Sequence, residues 1–321
     1  MINDSKISGI HHITAIASSA AENLAFYANV LGLRLVKKTV NFDDPYTYHL
    51  YYGDQEGSPG TIMTFFPWEK LPRGKTGAGM VTSIAFSIPI DSVDYWRKRL
   101  NENGVETKEG ERFGDLLIQF EDPHGLSLEL IETPTAHPTS IQSRNPISAA
   151  HCIVGFHSAT ALLRSLKETQ SLLMNSMGMV LHDQEANRYR FKMKPVDAIG
   201  HFYDVVIDAQ AEPGQQGGGT VHHIAFRTST DDELKYWQKS LMDRGFSLTP
   251  IRDRKYFKSI YFHEPGGVLF EIATDPPGFT ADEPYARLGR DLKLPDQYES
   301  MRAEIERRLP KLRSNIVETV N

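Results

Sequence analysis

A histidine and a glutamate stand inside two short apolar stretches of the sequence, where each could bind a metal ion. His223 lies in residues 221–226 and Glu271 lies in residues 268–273. Both stretches have the composition of strands. Successive side chains of a strand point to opposite faces, so His223 lies on the face opposite to that of Ile224. A carboxylate in such a run is costly to bury without a partner. An imidazole and a carboxylate on neighbouring strands are two ligands of a metal site that needs a third.

An internal repeat indicates which elements position these two residues. Three pairs of segments match in the same order along the chain: residues 9–16 with 155–162, residues 77–86 with 217–226, and residues 122–129 with 264–271. Self-similarity of this kind is produced by a structural unit that is used more than once. The chain therefore consists of two similar halves.

Each half divides again into two units that share one order of elements. The first unit begins with a strand at 10–17, after which Leu24, Tyr27 and Leu31 recur at the spacing of an amphipathic helix that ends at Gly32. Turn-forming residues then separate three strands, near 34–40, 46–52 and 61–66. The other units span about 80–131, 153–209 and 220–274. The pattern predicts an α+β fold of four βαβββ units.

Polar and glycine-rich segments suggest the domain boundaries. The predicted organisation is a half at residues 1–135, a linker at 136–150, a second half at 151–279, and a helical tail at 280–321. Within the tail, residues 296–309 have the pattern of a charged amphipathic helix, interpreted as a clamp across the domains. The glycine-rich loop 213–219 is predicted to be mobile, as a lid or as a plain hinge.

Composition limits the classes of partner. The net charge of -6 and the pI of about 6.1 argue against nucleic acid or an anionic membrane as a partner, because both favour a basic surface. A single cysteine, Cys152, excludes an intramolecular disulfide. No targeting segment and no apolar run of membrane-spanning length is visible. These features predict a cytoplasmic enzyme with a small substrate, and both a monomer and a homodimer stay open.

Several longer motifs carry a resemblance to a known family: GIHHITAI, YHLYYGD, PGTIMTFFPW, GTVHHIAF and KSIYFHEPGGVLFEIATD. Their order and spacing resemble the vicinal oxygen chelate superfamily, and within it the bacterial ring-cleaving dioxygenases of the extradiol, hydroquinone-linked type. The resemblance covers residues 7–275. It implies that paired units curl into glyoxalase-like half-barrels around a divalent metal. It also implies that the ligands come from the first and last strands of two paired units.

The repeat alignment can then be searched for the third ligand. The positions equivalent to His223 are His12, Ser83 and Ser158, whereas those equivalent to Glu271 are Thr64, Glu129 and a position near Asp204. Pairing units one and two, or units three and four, leaves the set one histidine short. Only units one and four together offer His12, His223 and Glu271, which is the facial triad that leaves positions on Fe(II) open.

Two alternatives remain at the level of the sequence. The better-known extradiol enzymes hold their metal within the second half, where His157 is the nearest histidine to the required position. In the repeat alignment His157 matches His11, which is assigned to the side that packs against a helix. A slip of one residue would make His157 the ligand in place of His12. Glu129 lacks a matching histidine pair and is interpreted as a structural carboxylate or the relic of a lost site.

The resemblance also suggests residues that assist the chemistry. Tyr261 precedes Glu271 by the spacing at which the extradiol family carries a hydrogen-bonding tyrosine. His49 falls on the same face as Tyr261 and could act as acid or base, because imidazole titrates near neutral pH. His201 is the alternative if the cavity belongs to units three and four. The cationic run Arg254, Lys255 and Lys258, with Tyr256, could line the entrance, and Phe65, Phe66 and Trp68 could hold an aromatic ring.

The resulting hypothesis is an Fe(II)-dependent dioxygenase that opens the ring of a small dihydroxylated aromatic, with dioxygen as the second substrate and no organic cofactor. Mn(II), Zn(II) and Ni(II) are alternative metals. A metal-dependent isomerase or lyase of glyoxalase type is a second hypothesis, against which Thr64 in the fourth ligand position argues. A ligand-binding protein without catalysis is a third, and the intact set of two histidines and a glutamate disfavours it.

Overall fold

A computed structural model describes residues 7–134, 147–193 and 199–312. The first unit contains strand β1 (Ile10–Ala17), helix α1 (Ala20–Leu24), and strands β2 (Arg34–Asn41), β3 (Asp44–Gly53) and β4 (Ile62–Pro67). A π-helical segment, Ala25–Val30, extends α1. The turn ends before Gly32, whose φ of 72° is the left-handed conformation that terminates helices. The helix thus stops where the sequence predicts.

The same order of elements recurs three times. The second unit contains β5 (Met80–Ile88), α2 (Val93–Glu102), β6 (Lys108–Arg112), β7 (Asp115–Glu121) and β8 (Ser127–Glu132). The third contains β9 (Gly155–Leu163), α3 (Lys167–Ser171), β10 (Val180–Glu185), β11 (Arg188–Lys192) and β12 (Phe202–Ile207). The fourth contains β13 (Val221–Thr228), α4 (Asp231–Asp243), β14 (Arg252–Asp253), β15 (Lys258–His263) and β16 (Leu269–Thr274). The predicted α+β fold of four βαβββ units is confirmed.

The strands form two curled sheets of eight strands each. One sheet has the order β14-β15-β16-β13-β1-β4-β3-β2, and the other has the order β10-β11-β12-β9-β5-β8-β7-β6. At the centre of the first sheet β1 pairs with β13 in the antiparallel direction, so the first and fourth units share this sheet. The second and third units share the other, through β5 and β9. The division of the sequence at 136–150 therefore does not separate the sheets, since each takes strands from both halves.

Alternation along the strands directs apolar side chains toward the helices and polar ones into the half-barrel. In β1, Ile13 and Ala15 belong to the main hydrophobic core, whereas His12 and Thr14, which alternate with them in sequence, do not. The helices cover the outer faces with large residues at equivalent positions, such as Trp96 in α2 and Trp237 in α4, both fully buried. This arrangement follows from the period of two in a strand.

The C-terminal segment packs against the first sheet and ends in helix α5 (Arg302–Arg308), preceded by a 3-10 turn at Asp296–Met301. On β2, the Lys37 ammonium donates to Asp282 Oδ1 at 2.6 Å and also pairs with Glu283. Toward the fourth unit, Tyr256 Oη donates to Asp282 at 3.0 Å. The tail thus joins the first and fourth units, the two that share this sheet. Within the described residues, no helix has the length and apolarity needed to cross a membrane.

The loop at 213–219 is tied to the connection between β4 and β5. Gly74 N donates to Gly218 O at 2.9 Å, and Gln215 N donates to Lys75 O at 2.7 Å. These backbone hydrogen bonds make the segment a tethered crossover, which argues against a mobile lid. Glycine abundance suggested mobility, but here glycine permits the close approach of two chains: a Cβ on Gly74 would lie 2.7 Å from Gln215 O. Most of the predicted linker, 136–146, lies outside the described residues.

Candidate metal centre and substrate cavity

Three side chains from three strands converge inside the first sheet. His12 Nε2 on β1 lies 3.1 Å from Glu271 Oε2 on β16, and His223 Nε2 on β13 lies 2.9 Å from the same oxygen. The two Nε2 atoms are 3.4 Å apart. Ligand atoms about 2.1 Å from one ion and at right angles to each other are separated by about 3.0 Å. The spacing of the three atoms therefore fits three neighbouring corners of one coordination sphere.

The charge balance of this cluster also fits a cation. The Glu271 side chain is 0% exposed, and within the part of the chain that the structure describes its oxygens have no polar partner at hydrogen-bond distance other than the two imidazoles. Burial alone would raise the pKa of Glu271, but His12 and His223 hold the pKa of this carboxyl well below its ordinary value. Burial lowers the pKa of His223. A buried carboxylate beside neutral imidazoles is the protonation state that binds metal ions.

The ring of each candidate histidine ligand contacts the ring of the histidine that precedes it in sequence. His11 Nδ1 lies 2.9 Å from His12 Nδ1, and His222 Nδ1 lies 2.8 Å from His223 Nδ1. One nitrogen of each contact must carry the proton and the other must accept it. These contacts orient the rings so that the opposite nitrogen, Nε2, faces Glu271. The two pairs occupy equivalent positions on β1 and β13.

The position of His11 differs from the prediction. The pairing of β1 with β13 shifts between Ile10 and His12, so His11 is the extra residue of a β-bulge. Its ring centroid lies 5.1 Å from that of His12 and 5.2 Å from that of Phe257. The assignment of His11 to the helix-packing side is therefore wrong, because the bulge turns two consecutive side chains toward the same side.

His49 lies on β3 in a chain of hydrogen bonds. Tyr51 Oη lies 2.8 Å from His49 Nδ1, and His49 Nε2 lies 2.6 Å from Thr64 Oγ1. Thr64 Oγ1 in turn lies 3.2 Å from Thr14 Oγ1. Burial, and secondarily the nearby His12, lowers the pKa of His49 well below its ordinary value. His49 is thus a neutral imidazole at neutral pH, with both nitrogens engaged.

Tyr261 and Arg254 bound the cavity on the side of the fourth unit. Tyr261 pairs with Glu271 across β15 and β16, and its ring stands perpendicular to that of His223 at 5.6 Å between centroids. Burial, with the charge of Glu271, raises the pKa of Tyr261, so its hydroxyl stays protonated. The Arg254 guanidinium carbon lies 5.6 Å from the Tyr261 ring centre.

The cavity beside the cluster has a volume of about 390 Å³. It is lined by residues of the first and fourth units, among them His12, His49, Tyr51, Phe66, Trp68, His222, His223, Arg254, Phe257 and Tyr261. Of the three aromatic residues predicted to hold a ring, Phe66 and Trp68 line it, whereas Phe65 is fully buried in the main core. Of the cationic run, Arg254 lines it, whereas Lys255 and Lys258 pair with Asp296 and Asp231.

The alternative residues of the sequence-based hypotheses lie in the other sheet. His157 is on β9, where its Nδ1 lies 3.1 Å from Ser158 Oγ, and His201 immediately precedes β12. Ser158 stands opposite Ala85 as His12 stands opposite Ala225, which supports the repeat alignment. Both histidines are therefore remote in topology from the cluster of His12, His223 and Glu271.

The other sheet holds a guanidinium where the first has its candidate metal site. Glu129 accepts a hydrogen bond from Arg112 Nη2 at 2.8 Å and from Gln119 at 3.1 Å, and it also pairs with Arg112 Nη1. Burial raises the pKa of Glu129, but Arg112 more than offsets this and lowers it. Asp204, near which the third equivalent of Glu271 was expected, is bound by Arg190 at 2.9 Å. Glu129 is thus a structural carboxylate, one of the two interpretations that the sequence left open.

Breaking this pair tests whether Arg112 serves as the buried countercharge. Arg112→Met is expected to lower the free energy of unfolding by about 3–5 kcal/mol, because a buried carboxylate loses its partner. Arg97→Met, which removes an exposed ion pair with Glu109, should cost at most about 1 kcal/mol. Urea unfolding of both variants provides the comparison. Equal costs would show that Glu129 does not depend on Arg112.

His11 and His222 were assigned no role from the sequence, although a signal was present. The dipeptide His-His occurs at equivalent positions in the first and fourth units and nowhere else in the sequence. A repeated pair, rather than a repeated single histidine, indicates that both members are needed. The contribution of the tail through Lys37 and Asp282 had no such signal, because the partners are separated by more than half of the chain.

Comparison with known proteins supplies the family. The model of the Glyoxalase/Bleomycin resistance protein/Dioxygenase superfamily matches residues 9–130 and 173–272. The chain belongs to this superfamily. Within it, the chain is 45% identical over 307 residues to a Bacillus subtilis (strain 168) protein provisionally named the ring-cleaving dioxygenase MhqO, a match that covers 95% of this chain and 96% of the other. The predicted resemblance is confirmed.

Two further superfamily members extend the comparison. The chlorohydroquinone/hydroquinone 1,2-dioxygenase of Sphingobium indicum is 34% identical over 311 residues, covering 94% of this chain and 96% of the other. A crystal structure from Bacillus subtilis subsp. subtilis str. 168, provisionally described as a dioxygenase, superposes with a TM-score of 0.92 at 44% identity and covers 97% and 99% of the two chains. The prediction of a dioxygenase enzyme of this superfamily is confirmed.

Proposed function

We propose that the protein is an Fe(II)-dependent, extradiol-type dioxygenase that cleaves the ring of a small aromatic diol of the catechol or hydroquinone class. The observation that carries the proposal is the convergence of His12, His223 and Glu271 beside a cavity that both histidines line. Two imidazoles and one carboxylate leave several positions on an octahedral ion free, as a reaction of two substrates requires. The names of the relatives support the same substrate class. Mn(II) is an alternative metal for this reaction, whereas Zn(II) and Ni(II) suit the Lewis-acid chemistry of the isomerase hypothesis.

The reaction balances without an external reductant. One ring carbon–carbon bond and the bond of dioxygen break, and both oxygen atoms enter the product. The four electrons that dioxygen takes up come from the ring. The metal ion, when bound, would supply the site where the two substrates meet and exchange these electrons.

The chain itself would bind the ring and move its proton. Phe66 and Trp68 offer aromatic surfaces to a planar ring, with their own centroids 5.3 Å apart. Tyr51 lines the cavity, and its Oη lies 2.8 Å from His49 Nδ1. A substrate hydroxyl could therefore pass its proton to Tyr51 Oη while Tyr51 passes its own to His49 Nδ1. In this scheme His49 is the base, one of the two roles that the sequence suggested for it, and Tyr51 connects it to the substrate.

Tyr261 would act on the opposite side of the cavity. Its hydroxyl stays protonated well above neutral pH, which suits a hydrogen-bond donor to oxygen on which negative charge develops. Arg254 adds a positive charge near the same ring. The two residues together are suited to stabilise an anionic oxygen, and neither is suited to take up a proton.

The arrangement around Thr64 bears on the isomerase hypothesis. A glyoxalase-type site with four protein ligands would need a donor such as a carboxylate from β4. That position holds Thr64, whose hydroxyl is engaged by His49 and Thr14. The site therefore offers three protein ligands, which favours the dioxygenase over the isomerase.

Oxygen consumption tests the proposal directly. Protein purified without air and loaded with Fe(II) is expected to take up about one dioxygen per molecule of catechol or hydroquinone opened. An oxygen electrode measures uptake, and the absorbance of the ring-opened product measures cleavage. Zn(II)-loaded protein is the matched control and should take up none.

Three results would contradict the proposal. The first is loss of the substrate without oxygen uptake, which would favour the isomerase. The second is binding of the diols without any reaction, which would favour the ligand-binding protein. The third is full activity after removal of all metal by a chelator. The cytoplasmic location and the choice between monomer and homodimer stay predictions, which cell fractionation and light scattering would check.

A further inference from the structure

A second cavity, of about 340 Å³, adjoins the one that contains the candidate metal centre. Three residues line both cavities: Trp68, His222 and His223. Because His223 is one of the three candidate ligands, the second cavity borders the candidate metal centre at this residue, whereas His12 and Glu271 are not among its lining residues. Of the residues assigned to the substrate, Trp68 lines both cavities, whereas His49, Tyr261 and Arg254 line only the first.

The second cavity has a polar rim and an apolar interior. Its rim carries exposed residues, namely Gln216, His263 and Gly267. Its inner wall is apolar and largely buried, and consists of Ile16, Met80, Val81, Val221, Val268 and Leu269. The polar groups at its inner end are His222 and His223, whose Nδ1 atoms already contact each other. The cavity is thus an apolar funnel that begins at solvent and ends at a candidate ligand.

Two glycines allow the funnel to form where the two sheets meet. Gly79 precedes β5 of one sheet, and Gly267 precedes β16 of the other. Both have positive φ, 86° and 106°, which disfavours side chains there. A Cβ on Gly79 would lie 3.2 Å from Gly266 O. The mouth is therefore bordered by backbone from both sheets, and no side chain is present at these two positions to close it.

We propose that this funnel is the route and waiting site for dioxygen, separate from the mouth through which the aromatic substrate enters. The proposal rests on the function proposed above. Dioxygen is small and apolar, so it partitions into apolar space and needs no hydrogen-bond partner. An aromatic diol would leave its hydroxyl groups unpaired against this wall, which is costly. The first cavity, with Arg254, Tyr261 and Tyr51, provides the polar partners that a diol needs.

A separate route would let dioxygen reach the ion after the diol has bound. A diol bound between Phe66, Trp68 and the candidate metal centre would occupy the first cavity and obstruct it. Dioxygen must still reach the ion afterwards, because both substrates react there. The funnel borders the first cavity at Trp68, His222 and His223, and it has a mouth of its own. The two substrates can then bind without competing for one mouth.

Leu269 is the residue of choice for a test. It lies on β16, half-buried, two positions before Glu271 on the same face, and it is not a member of the main hydrophobic core. Leu269→Trp should narrow the funnel and raise KM for dioxygen several-fold, with KM for the diol and the iron content unchanged. Leu269→Met, of similar volume, is the control and should match the wild type. Initial rates at varied dioxygen and saturating diol give the values.

A second variant and a second measurement keep the inference testable if Leu269→Trp does not fold. His263→Trp adds bulk at the exposed rim, outside the core, and should raise KM for dioxygen in the same direction. Xenon, which occupies apolar cavities, should bind the metal-free wild type in the funnel when crystals are pressurised, and should be absent there in Leu269→Trp.

The outcomes separate this inference from the function on which it rests. If the wild type takes up no oxygen with any diol, the proposed function is wrong, and dioxygen is then no longer supported as the occupant of the second cavity. A different result would overturn the second route alone. In that result the wild type is active, and Leu269→Trp and His263→Trp fold, bind iron and keep the wild-type KM for dioxygen. Xenon that occupies only the first cavity would also overturn it.

Discussion

Glu271→Gln is expected to remove the metal from the protein and, with it, the activity. The amide keeps the size of the side chain, but it removes the negative charge and turns one ligand oxygen into an N–H donor. Loss of groups that merely orient a ligand costs about 10–100-fold in metal affinity, so loss of a ligand should cost at least about 100-fold. Metal analysis after desalting, and titration of the metal-free protein with Fe(II), measure the effect.

The stability of the metal-free protein gives this prediction a second readout. Without a cation, the partners of Glu271 are the imidazoles of His12 and His223, which lie 3.1 and 2.9 Å from Oε2. Because an imidazole is a weaker partner for a carboxylate than a guanidinium, Glu271→Gln should lower the stability of the metal-free protein less than Glu129→Gln does. Glu129→Gln is the matched control at the equivalent position of the other sheet. It should lower stability, because Arg112 loses its counterion, and it should leave metal binding unchanged.

Opposite behaviour would assign the roles differently. If Glu271→Gln destabilised the metal-free protein as strongly as Glu129→Gln and kept full metal affinity, Glu271 would be a structural carboxylate. The candidate centre would then lose its only anionic ligand, and the proposed function would lose its main support.

His12→Ala is expected to abolish metal retention, whereas His157→Ala is expected to preserve it. Both residues are buried histidines near the start of equivalent strands, β1 and β9, so the loss of packing should be similar. Only His12 faces Glu271, at 3.1 Å. We expect metal affinity to fall at least about 100-fold in the first variant and to stay within the error of measurement in the second.

This pair of variants distinguishes the two possible locations of the site. Metal content per folded chain, with circular dichroism as the check on folding, is sufficient to decide. Loss of the metal in His157→Ala and its retention in His12→Ala would place the site in the second half of the chain. The cavity beside β1 would then need another explanation.

The repeat in the sequence predicted the fold because local rules control it, whereas the family came from the resemblance of the longer motifs. A period of two marks the strands, and glycine after an apolar helix marks its end, as at Gly32. The repeat alignment also singled out His12, His223 and Glu271, because equivalent units carry serine or threonine at most of the corresponding positions. The structure brings these three side chains together, whereas their role as ligands stays a prediction.

Other features depend on the register between strands, which the sequence does not display. The bulge that turns His11 toward the side of His12 is a property of the pairing between β1 and β13, which are separated by about two hundred positions in the chain. The pairing of Arg112 with Glu129 likewise required β6, β7 and β8 to be in register. A change of one residue in such a register reverses the face of every side chain, so pattern alone could not decide these positions.

The amino-acid sequence by itself determined the four repeated units, the alternation of their strands and the identity of three residues suited to one ion. The tertiary structure bears out the pairing of units one and four, and it alone decided that the loop at 213–219 is tethered and that a second cavity adjoins His223. The physical reason is the range of the interactions. Alternation along a strand and the hydrogen bonds within a helix act between neighbours in sequence, whereas cavities and crossovers arise where distant segments of the chain meet.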